Sequence, residues 1–326
     1  LSDIAKEMGA NTQFSATEAA SALEFLSMAG FKVQEQISAL PSVLNLAAAA
    51  KIDLGRSADI VSNIMTGFGL AADDTGHAVD VLVKTMGSAN TDLPQLGDAM
   101  KYVAPVAASL GLSIEETATA VAKMSDAGIQ GSQAGTALRQ ALLSLANPTG
   151  QTEKAMERLN IKITEADGTL KPLPDLIGHI AEKMDGMTDA QRTQTAAQLV
   201  GTEAASGFLA LLKVGEDGLR TYSDELRNAG GTAERVAKTQ MDNVKGSFKE
   251  FQSALEGLGI QIGDEFLPHF RSIIDVGTRI VRTLAEVDPA VLATGLQMAG
   301  AASAIALVAT TATRLITVMR GLMVSL

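Results

Sequence analysis

The sequence predicts a mainly α-helical protein: a bundle of short helices with a duplicated helical unit, one small β-hairpin near residues 161–171, and long C-terminal helices. Three observations carry this expectation. The first is composition. Of 326 residues 46% are hydrophobic, yet there are only two Tyr, nine Phe and no Trp. Ala, Leu, Val, Ile and Met must therefore fill the core, and small or unbranched side chains favour close packing of helix on helix. The second is recurrent helix punctuation, and the third is an internal match.

The stretch Ser15 to Gly30 aligns without gaps on Ser113 to Gly128 at an offset of 98, with seven identities in sixteen positions. Ser15-x-x-Glu18 and Ser113-x-x-Glu116 read as capping boxes, in which each side chain accepts from the other residue's backbone N–H. Gly30-Phe31 and Gly128-Ile129 read as helix stops, with Gly in the left-handed region and an apolar residue folding back on the last turn. Gly67-Phe68 and Gly111-Leu112 suggest further stops, so residues 1–146 form a duplicated helical core of short helices.

Asn147-Pro148-Thr149-Gly150 breaks this pattern, because proline lacks a donor and restricts its predecessor. A second region, 147–232, carries a helix over Glu153–Leu159 and then the strand signal. Ile161 to Thr164 and Thr169 to Lys171 flank Asp167-Gly168, a pair suited to a hairpin turn. Pro172 and Pro174 lead into a helix from Asp175, and Thr188-x-x-Gln191 caps another. From Ala237 the apolar positions Met241, Val244, Phe248, Phe251, Leu255, Leu258 and Ile262 alternate steps of four and three. This heptad seam marks 233–288 as a long amphipathic helical segment. The remaining 289–326 forms an apolar helical tail, uncharged from Ala290 to Thr313 over 24 positions. That length can cross a hydrocarbon core about 30 Å thick; its Ala, Gly, Ser and Thr content equally suits a buried or self-associating helix.

Charge and motifs exclude several functions. With 26 Lys+Arg against 37 Asp+Glu the net charge is −11, the wrong sign for specific nucleic-acid binding through phosphate neutralisation. No cysteine is present, which removes disulfides and thiolate chemistry. His77, His179 and His269 are far apart in sequence and read as surface or boundary residues, without zinc-site spacing. No phosphate-cradling glycine loop occurs. The pairs Glu115-Glu116 and Asp73-Asp74 read as solvated helix starts. The expectation is a non-enzyme without cofactors or metals. Asp3 and Glu7 stand near the opening Leu1, where a signal peptide would be basic, and the chain reads as a fragment.

Four passages carry a family resemblance. Asp98–Leu110 runs into Gly111-Leu-Ser-Ile-Glu-Glu116, and Asp126-Ala-Gly-Ile-Gln-Gly-Ser-Gln-Ala-Gly-Thr-Ala-Leu-Arg139 follows. Leu159 to Ile163, with Asp167-Gly-Thr-Leu-Lys-Pro-Leu-Pro-Asp-Leu176, and Leu199-Val-Gly-Thr-Glu-Ala-Ala-Ser-Gly-Phe208 continue in order, as does Gln240–Gly263 with Phe266-Leu-Pro268. Together these resemble the core of the phage tail tape measure proteins. The resemblance implies a virion protein that sets tail-tube length during assembly in the bacterial cytoplasm and leaves at DNA ejection. It implies tail assembly chaperones, the tail tube protein, and tail-tip or baseplate proteins as partners. The alternative is a membrane-active protein forming a DNA passage through its apolar tail, with contact to the host inner membrane through 290–313. No catalytic residue carries over. The signature residues Gly128, Gly131, Ala134, Gly135, Arg139, Asp167, Gly168 and Gly201 are expected to be structural: small residues for a close helix crossing, Arg139 for pairing with an acid or capping carbonyls.

Overall fold

The computed structural model describes residues 1–166 and 168–241. The heptad seam beyond Met241, the apolar tail and Asp167 lie outside the described residues.

Helices form where the local signals place them. Among the described residues there are 13: α1 Ser2–Asn11, α2 Ala16–Met28, α3 Val33–Ala50, α4 Leu54–Phe68, α5 Thr75–Ser88, α6 Leu93–Ser109, α7 Ile114–Asp126, α8 Gly131–Ala146, α9 Gln151–Leu159, α10 Leu173–Lys183, α11 Asp189–Val200, α12 Thr202–Arg227 and α13 Thr232–Met241. The expected capping boxes open α2, α7 and α11, and Asp53 and Asp92 cap α4 and α6 from their side chains. At the far ends the Gly stops close with paired bonds: Gly30 N donates to Ser27 O and Phe31 N to Leu26 O, and Gly128 N to Ser125 O and Ile129 N to Met124 O. These satisfy carbonyls that a helix end leaves without partners.

Two expectations are corrected. The stop near residue 67 falls at Gly69, at φ 65°, and Gly67 lies inside α4. There an added Cβ would stand 2.9 Å from the Ala104 Cβ, so Gly67 serves the contact of α4 with α6. The segment 161–171 forms no strand among the described residues, only an isolated antiparallel bridge between Thr164 and Leu170. Glu165 N still donates to Thr169 O and Lys171 N to Ile163 O. Two runs this short, with no third strand beside them, do not make a stable sheet.

The helices pack in three neighbouring groups. α1 lies on α2, which lies on α3 and α4, and α4 packs on α6. α6, α7 and α8 touch one another in the middle. On the other side α12 covers α7 and α8 and receives α10 and α11, while α13 returns to α3 and α5. The interior is aliphatic and rich in alanine: Ala19, Ala22, Ala39, Ala58, Ala99, Ala107 and Ala118 are fully buried among Leu40, Leu82, Met100, Met124, Leu138 and Phe208. Small side chains let helix axes approach, and the dispersion attractions between their atoms, weak one by one, add up to a large sum. Among the described residues no single helix is long and apolar enough to cross a membrane.

Candidate functional site

The signature run 126–139 turns the chain between α7 and α8 and then drives α8 against α6. Gly128 has φ 87° and Gly131 φ 57°, so the turn uses two left-handed positions that disfavour a side chain. One turn further on, Ala134 is fully buried. At Gly135 an added Cβ would stand 2.1 Å from the Ala99 carbonyl oxygen and 2.8 Å from its Cα. The backbones of α6 and α8 therefore touch at this point, and no residue but glycine fits there. Ala137 and Leu138 complete the buried face.

Arg139 lies on the opposite, exposed face of α8. Its guanidinium stands 6.0 Å from the ring centroid of Tyr102 on α6, at the outer limit of a cation–π contact. Tyr102 and Leu143 are each 44% exposed, so this face presents an aromatic ring, a guanidinium and a leucine to solvent. Gly168 takes φ 89° in the turn between the bridged residues Thr164 and Leu170, and Gly201 takes φ 85° at the junction of α11 and α12.

Glu115 and Glu116, expected as a solvated helix start, are buried at 8% and 6% exposure. Both are held by groups from other elements. Glu116 Oε2 accepts from Ser113 N at 3.1 Å in the capping box, and its Oε1 accepts from Leu173 N at the start of α10 at 3.1 Å. Glu115 Oε1 pairs with His77 Nε2 of α5 at 2.6 Å. Burial pushes the Glu115 carboxyl up, but the bonds from His77, Ser113 and its own backbone amide outweigh this, and its pKa is lowered. The start of α7 is thus an anchor for α5 and α10. The capping box is visible in sequence; the second oxygen of Glu116, reaching 57 residues along the chain, has no local signal.

Asp80 is a further anchor that sequence reasoning missed. It is 9% exposed on α5, and its Oδ2 and Oδ1 accept from Gly231 N at 2.8 Å and Ala233 N at 2.7 Å. These donors are the free N–H groups at the start of α13. None of these acids gathers into a ligand set: among the described residues no group of His, Cys, Asp and Glu could hold a metal ion. A cleft of about 360 Å³ between α4 and α6 is lined by Ser62, Asn63, Thr66, Gly67, Lys101 and Pro105. It contains no carboxylate or imidazole for acid–base work.

In this bundle of glycine-stopped helices the signature residues build a crossing and a turn. Residues 2–201 match the family model of the phage-related minor tail protein, and the chain belongs to that family of structural phage tail proteins. It is 37% identical over 283 residues to a tape measure protein of Pneumococcus phage Dp-1, covering 87% of this chain and 25% of that protein. It is 31% identical to a probable tape measure protein of Escherichia phage P2 over 86% of this chain and 35% of that protein. A probable tape measure protein of Halomonas phage phiHAP-1 is 24% identical over 80% of this chain and 31% of that protein. The resemblance to the phage tail tape measure family drawn from the passages between Asp98 and Pro268 is confirmed. The chain spans between a quarter and about a third of the length of these relatives. No solved structure matches it.

Proposed function

We propose that this chain is the helical core of a tape measure protein, acting as a length ruler in tail-tube assembly and released when DNA is ejected. The observation that carries the reading is the 37% identity to a named tape measure protein over 87% of the chain. The partners of such a core are the tail assembly chaperones during synthesis, the tail tube protein along its length, and tail-tip or baseplate proteins at one end. Glycine-stopped helices suit the role, because left-handed stops can straighten into continuous helix when the chain is drawn out inside a tube.

A duplication underlies the core in this reading. α2 and α7 begin at Ala16 and Ile114 and end at Met28 and Asp126, while α3 and α8 begin at Val33 and Gly131. These bounds repeat the offset of 98 read from the sequence. The close crossing belongs to the second copy alone, since α3 carries Ile37 where α8 carries Gly135.

Cross-linking of purified tails, read by mass spectrometry, tests the placement. Lysines of this segment, such as Lys101 and Lys154, are expected to join tube-protein peptides in intact tails and to lose those links after DNA ejection. Tails that contain the protein but give no such links, or that keep them after ejection, would overturn the reading. The membrane-passage alternative rests on 290–313, outside the described residues.

A further inference from the structure

α12 is kinked into two segments at Gly215, whose φ 74° and ψ 179° are non-helical. This backbone region is essentially closed to residues with a Cβ. Everything after it in the described chain, Glu216–Met241, lies back on the body. We propose that Glu216–Met241 is a strap, hinged at Gly215 and latched at Asp80, that opens from the helical body as a unit and uncovers the faces of α3 and α5 beneath α13.

Four features distinguish the strap from the helices around it. Its polar attachments are few and discrete: Asp80 holds the first N–H groups of α13, Tyr222 Oη bonds Ser88 Oγ at 2.8 Å, and Arg220 pairs with Asp175, beside the buried apolar residues Leu219, Leu226 and Ala229. The buried apolar part of α13 is small, consisting of Ala233 and Ala237, with Val236 partly buried against the core. The strap also carries an unmet polar group. Ser223 Oγ is buried without a hydrogen-bond partner. Such a group weakens the closed state, since it would regain water on opening. Finally, the hinge residue is held away from helical geometry only while the strap is docked. Released, Gly215 can adopt helical angles, and Thr202–Arg227 becomes one straight helix of about 39 Å at 1.5 Å per residue.

Amide hydrogen exchange of the whole 326-residue chain tests this. In the unmodified protein, residues 216–241 should exchange at least about tenfold faster than α6 and α8. Gly215→Ala disfavours the kinked backbone and favours straight helix, and Asp80→Asn weakens the latch. Each should speed exchange across 216–241 by a further tenfold or so and leave α6 and α8 unchanged. Uniform acceleration of the whole chain would make Asp80 and Gly215 ordinary stabilising residues and overturn the proposal, as would strap exchange that neither variant alters.

Discussion

Gly135 and Gly128 are both glycines of one signature, yet they act for different reasons and should respond differently to the same change. Gly135→Ala puts a methyl group 2.1 Å from a carbonyl oxygen, which the backbone must move to accept. A loss of about 2–3 kcal/mol or more is expected, in the range of overpacked cores. Gly128→Ala meets no atom within 4 Å and costs only the left-handed conformation, about 1 kcal/mol. Urea denaturation of both variants gives the ordering, and equal losses would contradict the crossing. Glu116→Ala should cost about 1–3 kcal/mol by leaving the buried Leu173 N–H unpartnered, with Glu116→Gln costing less because an acceptor remains. Glu115 adds a pH dependence. Its folded pKa is lowered, so its contribution is fully present above the ordinary carboxylate range and is lost as pH falls through that range to the folded value. Denaturation midpoints of the parent should fall on acidification more than those of Glu115→Gln; parallel pH profiles would remove the role given to the His77 pair.

Helices were the most legible scale, because their starts and stops are short-range chemistry. Ser15, Ser113 and Thr188 cap helices as their spacing predicts, and Gly30, Gly111 and Gly128 stop them with positive φ. The stop at Gly69 was misplaced to Gly67, since a Gly-x-Gly run offers two sites and the choice is made by Ala104 on another helix. The strand signal at 161–171 failed because alternation over so few residues does not supply a partner sheet. The crossing at Gly135 was expected as a close approach, but its partner, Ala99, could not be read from spacing. Asp80, Glu115 and Glu116 were not legible as anchors at all, because their partners lie 38 to 153 residues away. A carboxylate beside polar residues reads as solvated until the fold brings another helix onto it. At this scale the anchors make a prediction: Asp175→Ala removes the carboxylate shared by α10 and Arg220 but, as an exposed pair, should change global stability by less than about 1 kcal/mol. A larger loss in chemical denaturation would contradict that assignment.

For the whole molecule, the proposed ruler role links fold and function through length. The family and the helical class were both readable from sequence: the family model agrees over residues 2–201, and the described residues are mainly helical. The size of the ruler was not readable, as the chain covers between a quarter and about a third of its relatives. A compact bundle cannot itself measure a tube, so the ruler reading requires the helices to extend, with glycine stops and the Gly215 kink as the places where they straighten. The most direct test is an in-frame deletion of residues 16–113 from the full-length gene, which joins Ser15 to Ile114 and keeps the Ser-x-x-Glu cap. If the segment is drawn out as helix in the tail, removing one 98-residue interval should shorten tails by about 150 Å in electron micrographs at 1.5 Å per residue. Tails of unchanged length would contradict the account.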